Sequence, residues 1–159
     1  MEKYIDYINS PVGWLEITAD DNALLSVHFM NDGASKQTIN EENKVIQKTK
    51  KQLAEYFAGE RKKFDIPLNP SGTEFQLKVW NELLKIPYGK TISYLQLAEL
   101  VESKEHTRAV GLANGKNPVA IIVPCHRVVG SDGKLTGYAG GMKNKQWLLE
   151  LESQQKNLF

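Results

Sequence analysis

Apolar positions in the first 30 residues fall into three short runs, Lys3–Ile8, Gly13–Ala19 and Ala23–Phe29, dense in β-branched and aromatic side chains. Runs of this kind predict strands, and Asp20-Asp21-Asn22 between the last two is a hairpin-turn signal. The period then changes. Over Glu41–Ala58, Val45, Ile46, Thr49, Leu53, Tyr56 and Phe57 share one helical face, and Gly59 stands past the end as a terminator. Phe64–Leu68 reads as a short extended piece. Asn69-Pro70-Ser71-Gly72 reads as a linker, which divides the chain into an N-terminal domain over 1–71 and a C-terminal domain over 72–159.

The second part opens on helix signals. Thr73 with Gln76, and Ser93 with Gln96, each fit a capping box. The first leads into a helix through Phe75, Val79, Leu83 and Leu84 that Pro87 stops. The second opens a short helix to about Val101. Thr107 is placed to cap a third helix over Arg108–Asn114, ended by Gly115. The last two helices outline a helix-turn-helix. Val119–Val123 is a continuous apolar run of strand length, which predicts a buried strand leading to Pro124-Cys125. Ser131-Asp132-Gly133 is a turn, and Gly137–Gly141 a flexible loop. A closing helix over Met142–Glu152 is expected to bury Trp147, Leu148 and Leu151.

Composition narrows the function classes. Cys125 is the only cysteine among 159 residues, so no internal disulfide forms and a reducing cytoplasm is expected. His28, His106 and His126 are too scattered to hold zinc with it, so no metal and no cofactor is expected. No apolar run approaches the ~20 residues needed to span a bilayer, and the N-terminus lacks a signal core. Net charge is +1, but its distribution is uneven. Residues 1–71 carry 9 Lys/Arg against 11 Asp/Glu, whereas residues 72–159 carry 11 against 8. From His106 to Ser131 there are Arg108, Lys116 and Arg127 and no acid at all, a basic stripe compatible with phosphate contact.

The candidate chemistry sits in Val-Pro-Cys125-His126-Arg127-Val-Val-Gly. A structural thiol needs no polar company, whereas a nucleophilic one needs a base or cations to make thiolate available near neutral pH. His126 is a candidate base, although neighbours on an extended chain point to opposite faces, so contact requires a turn or a bridging water. Arg127 fits either as a cation that depresses the thiol pKa or as a structural ion-pair partner. Asn117 fits a turn before Pro118, and Tyr94 a hydrophobic first-turn residue.

This string resembles the active-site motif of the O6-alkylguanine-DNA alkyltransferases, also called methylated-DNA–protein-cysteine methyltransferases. The likeness continues through Phe75-Gln76, Val79-Trp80, Ile86-Pro87, Gly89-Lys90, Ser93-Tyr94, Arg108–Gly111, Asn117-Pro118, Gly137–Gly141 and Trp147–Leu149, in order and spacing. It implies an α+β fold: a small N-terminal α/β, ribonuclease H-like domain, then a helical, winged-helix-like C-terminal domain with a helix-turn-helix. It implies single-turnover transfer of a methyl or other alkyl group from O6-methylguanine in DNA to Cys125, with O4-methylthymine as a second candidate substrate.

Residue by residue, the resemblance makes Cys125 the acceptor and His126 its base through a bound water, with Glu152 steadying the imidazole. Asn117 and Arg127 serve as structural support. The Tyr94 hydroxyl and the Ala139 N–H face the oxygen and ring nitrogen of guanine. The Cys125 and Val128 carbonyls accept from its exocyclic amine, and Tyr138 and Gly140 shape the pocket. Arg108 enters the base stack of a flipped-out nucleotide. Ala109, Gly111, Ala113, Asn114, Gly115 and Lys116 complete a helix docked in the minor groove, where readout is degenerate. The implied partner is double-stranded DNA, bound by a monomer with no membrane. Three alternatives fit less well. A non-catalytic binding relative lacks the cysteine, a cysteine hydrolase needs a distant His/Asn pair, and a transcription factor has no use for the Pro-Cys-His-Arg element.

Overall fold

The structure, a computed structural model, describes residues 2–30, 43–135 and 137–157. The chain forms two compact units. One comprises Met1–Ser71 with Pro118–Ala120, the other Gly72–Asn117 with Ile121–Phe159.

The first unit is built on an antiparallel sheet in the order β1 (Tyr4–Ser10), β2 (Gly13–Ala19), β3 (Leu24–Phe29). Alternation places Leu15, Ile17 and Ala19 of β2 on the buried face. Helix α1 (Lys44–Phe57) covers the sheet with Val45, Ile46, Thr49, Leu53 and Tyr56. Its N-cap is Asn43, whose side chain accepts from the Ile46 amide at 2.9 Å, so the helix begins at Lys44. The expected start at Glu41 lies outside the described residues. Gly59 takes φ +78° just past the end, the left-handed conformation that glycine adopts without strain. Leu68 bridges Leu24 in parallel, and Val27 pairs with the Pro118–Ala120 stretch through its own N–H and C=O.

That last pairing corrects the predicted strand over Val119–Val123. Val119 makes an isolated bridge to Val27, and then the backbone turns, with Ile121 at φ +71°. A β-branched residue at positive φ costs on the order of 1–3 kcal/mol and persists only where its surroundings enforce it. All five residues are buried, as the apolar run implies. Burial and apolarity are shared by strands and tight buried turns, so the run alone does not separate them.

The second unit packs α2 (Glu74–Leu83), α3 (Tyr94–Val101) and α4 (Thr107–Gly115) against one another. Both capping boxes form as read, on Thr73 with Gln76 and on Ser93 with Gln96. Trp80 is buried, and its indole donates to the Ala113 carbonyl at 2.9 Å, tying α2 to α4. A Cβ on Gly72 would lie 2.5 Å from the Trp80 ring, so that approach requires glycine. Thr107 is not a cap. Its hydroxyl donates back to the Lys104 carbonyl in a 3-10 turn over Lys104–His106, and α4 begins at Thr107 itself. A short parallel pair, β4 (Ile92–Ser93) with β5 (Val128–Val129), was not foreshadowed by the sequence pattern. Helix α5 (Met142–Asn157) closes the unit. Its buried positions are Lys145, Leu148 and Glu152, whereas Trp147 and Leu151 are only half-buried. No helix among the described residues is long and apolar enough to cross a membrane.

Candidate active site

Cys125 opens a 3-10 turn over Cys125–Arg127, directly after Pro124. The turn replaces the extended geometry in which adjacent side chains point to opposite faces, and both residues are buried in it. Cys125 is 6% exposed and His126 0%. Asn117 Nδ2 donates to the Val123 carbonyl at 2.8 Å, holding the approach to the turn where no sheet partner is available. Asn114 Nδ2 reaches the Cys125 carbonyl at 3.5 Å.

Glu152, 1% exposed, arrives from α5 and organises the cluster. Its carboxylate lies 2.7 Å from His126 Nε2. It also accepts two hydrogen bonds from Arg127, at 2.8 Å from Nε and 3.1 Å from a terminal nitrogen, and one from the Gly89 amide at 3.4 Å. The second terminal nitrogen of Arg127 donates to the Ile86 carbonyl at 2.8 Å. Arg127 therefore forms a bidentate clamp on Glu152.

Charge states follow from these contacts. Burial alone would raise the Glu152 carboxyl, but the hydrogen bonds and charges of His126 and Arg127 outweigh it and pull the group to about 2. Glu152 is thus ionised and accepts from Nε2–H. Burial pulls His126 down, against the opposing hydrogen bond from Glu152, so the ring is neutral near pH 7. A neutral ring protonated at Nε2 leaves its lone pair on Nδ1. That atom is buried and accepts no hydrogen bond from the described residues. Nδ1 is thus the ring nitrogen able to take up a proton.

The thiol itself departs from the simple expectation. Burial raises Cys125, against opposing pulls from the Asn117 side chain, the Lys145 charge and the local backbone. In the DNA-free protein the resting form is the thiol, and Arg127 is not among the groups that lower it. A base has to act at the moment of reaction.

Lys145 is a residue that sequence reasoning missed. It is 0% exposed, donates to the Val128 carbonyl at 2.7 Å, and lies 6.0 Å from the Tyr94 ring centroid. Burial lowers it, while Cys125 pulls the other way. A signal existed. Lys145, Leu148 and Glu152 share one helical face, so an inward Glu152 implies an inward Lys145 two turns earlier.

The remaining candidates divide by accessibility. A cavity of about 450 Å³ is lined by Tyr94, Gly111, Leu112, Gly115, Lys116, Gly137, Tyr138 and Ala139. Tyr138 stands edge-on to His126 with ring centroids 6.5 Å apart, and burial raises its hydroxyl well above the ordinary value. The Gly140 carbonyl accepts from Asn144 at 2.8 Å, and the Val128 carbonyl already accepts from Lys145. On α4, Arg108, Ala109, Gly115 and Lys116 are exposed and Gly111 is half-buried. Ala113 and Asn114, expected with the groove-facing residues, are buried instead. They follow Val110 by one turn, and that period turns them inward.

Comparison with known proteins gives the family. Residues 74–154 match the 6-O-methylguanine DNA methyltransferase DNA-binding domain, and residues 3–70 match the ribonuclease-like domain of the same proteins. A methylated-DNA–protein-cysteine methyltransferase of Methanosarcina acetivorans is 47% identical over 94% of this chain and 97% of its own length. Its namesake in Mycolicibacterium paratuberculosis is 46% identical over 91% of this chain and 89% of its own. The crystal structure of Mycobacterium tuberculosis O6-methylguanine methyltransferase superposes with a TM-score of 0.86 at 42% identity, covering 97% of this chain and 94% of that one. A structure of Mycobacterium tuberculosis OGT in complex with DNA superposes with a TM-score of 0.85 at 44% identity, covering 95% and 93%. With both parts matched and close relatives along nearly its whole length, the chain belongs to the 6-O-methylguanine DNA methyltransferase family.

Proposed function

We propose that this chain repairs alkylated DNA by direct reversal, moving a methyl or other alkyl group from O6-methylguanine to Cys125, once per molecule. Its partner is double-stranded DNA, bound by the 72–159 domain from the minor-groove side. It acts as a monomer in the cytoplasm and without a cofactor. The observation that carries the reading is the pairing of Cys125, in one tight turn, with a neutral His126 whose Nε2–H is held by ionised Glu152.

The chemistry balances with the groups present. The lesion sits inside the base stack, so its nucleotide is extruded, at a cost of a few kcal/mol that is smaller for a damaged pair. Arg108 fills the space left. The thiol proton passes through water to His126 Nδ1, and Glu152 stabilises the imidazolium that results. The sulfur lone pair then forms the S–C bond as the C–O6 bond breaks, and that pair moves onto guanine. The Tyr94 hydroxyl and Ala139 N–H stabilise the developing charge, and guanine takes up a proton as it leaves. Lys145 is the buried cation on the sulfur's side of the exchange. The product is a thioether. No second thiol is available in the chain to receive the methyl group.

The test is a mass measurement after incubation with duplex DNA containing O6-methylguanine. A gain of one methylene unit on the Cys125 peptide is expected, with a plateau at one methyl per chain. C125S is expected to gain nothing and still bind the duplex. Turnover beyond one methyl per chain, or an unmodified Cys125 peptide, rejects the reading.

A further inference from the structure

The exposed face of α4 carries one side chain that the alkyl-transfer chemistry leaves unused. Leu112 is 63% exposed, more than any other large apolar residue described. A single exposed leucine is ordinary, but this one has three other properties. It lines the 450 Å³ cavity together with Tyr94, Tyr138 and Ala139. Helical spacing places Arg108 one turn before it and Lys116 one turn after it, and both are exposed. No carboxylate occurs between His106 and Ser131, so nothing along this stretch of chain opposes an anion.

The neighbours of Leu112 sharpen its outline. Gly111 and Gly115 flank it on the cavity side, and a Cβ on Gly115 would meet nothing within 4 Å. The result is a cation–leucine–cation ridge with bare backbone beside the middle rung. A duplex edge offers the complementary pattern, phosphates on either side of apolar deoxyribose surface. An apolar core within a charged rim is also how binding surfaces concentrate affinity.

We propose that Leu112 is the apolar lip of the nucleobase pocket, packing on the deoxyribose of the extruded nucleotide. It supplies salt-independent affinity between Arg108, which enters the base stack, and the salt-dependent contact of Lys116. The assignment rests on the alkyl-transfer reading. It also predicts a division of labour on one helix face: removing Lys116 lowers affinity through counterion release, whereas removing Leu112 lowers it through lost apolar burial.

The experiment uses the full chain carrying C125S, so that the lesion persists, and an O6-methylguanine duplex titrated at several salt concentrations. L112A is expected to raise Kd about tenfold, about 1.4 kcal/mol, with the salt slope unchanged. K116A is expected to reduce that slope by about one. L112M, which keeps the apolar volume, is expected to return Kd to within about twofold of the parent. Kd unchanged in L112A overturns the proposal, as does a slope that changes as much as in K116A, or a failure of L112M to rescue. The chain with Cys125 intact is weighed after incubation with the same duplex. No mass gain there rejects alkyl transfer itself, whereas a mass gain alongside an unaffected L112A rejects only the role given to Leu112.

Discussion

Arg127 is buried and Arg108 exposed within the second unit, and the same guanidinium does different work in each place. Arg127 is 6% exposed, with its donors committed to Glu152 and the Ile86 carbonyl. Arg108 lies exposed on the first turn of α4, on the ridge with Leu112 and Lys116. Around Arg127 lie His126 and Glu152, both essentially without solvent. In that dry setting charges are weakly screened, and an unmatched one is very costly. On the α4 ridge, water and salt screen every charge over a Debye length of ~10 Å at 0.1 M. A family of proteins that must hold a reactive thiol ready and also scan DNA needs both regimes, because the first gives fixed geometry and the second gives reversible contact.

The comparison breaks most visibly at Glu152. E152Q leaves Arg127 buried without a counter-charge and gives His126 only an uncharged acceptor. Loss of one partner of a buried pair costs about 3–5 kcal/mol, so a large fall in Tm is expected, and the folded fraction should transfer methyl on the order of 10²-fold more slowly. Urea unfolding and single-turnover rates check both. A variant as stable and as fast as the parent would show that the carboxylate contributes neither to the buried cluster nor to transfer.

The same cluster sets a pH dependence. The folded Glu152 value of about 2 lies below its unfolded value of 4.5, so its stabilising contribution is complete above about pH 4.5 and is lost as pH falls through about 2. His126 is lowered from 6.5, so the unfolded chain takes up that proton first, and stability begins to fall as pH drops below about 6.5. Both act in the same direction. Unfolding free energy is expected to decline from pH 7 toward pH 3, and E152Q should flatten the part of the curve below pH 4.5. Stability that rises on acidification would contradict the charge assignment.

Lys145 tests whether the dry region tunes the thiol as well as the fold. K145M removes the cation whose charge lowers Cys125. An opposite charge at short range moves a pKa by roughly 1–3 units. The transfer rate is therefore expected to fall about tenfold at pH 7, with its alkaline limb displaced upward. The salt slope for DNA binding should stay as it was. A slower rate with an unshifted pH profile would make Lys145 a packing residue alone.

The wet region gives the smaller effects. R108A is expected to slow repair of duplex DNA about tenfold by hindering extrusion, with less effect on a lesion in single-stranded DNA, which requires no unstacking of a pair. Equal losses on both substrates would remove Arg108 from extrusion. K116A should change little at low salt beyond a salt slope reduced by about one.

Local rules were legible and long-range consequences were not. The capping boxes at Thr73 and Ser93, the Asp20–Asn22 turn and the terminating Gly59 are set by residues a few positions apart, and all are present as read. Cys125 and His126 were legible as candidate chemistry in the string itself, whereas the roles of Asn117, Tyr94 and Glu152 came only from the family resemblance. The 119–123 run misled because apolarity reports burial and not conformation. Ala113 and Asn114 were misplaced because a helix drawn from small residues does not announce which face is packed.

The sequence by itself determined where α2 and α3 begin, which residue is the candidate nucleophile, and which family the chain resembles, because each depends on side chains close along the backbone or on a fixed motif. Only the tertiary structure decided that Lys145 is buried beside the reactive turn, that Arg127 is committed to Glu152, and that the thiol is raised by its surroundings. Those outcomes depend on desolvation and on partners far apart in the chain, such as His126 with Glu152. Neither quantity exists until the second unit has packed.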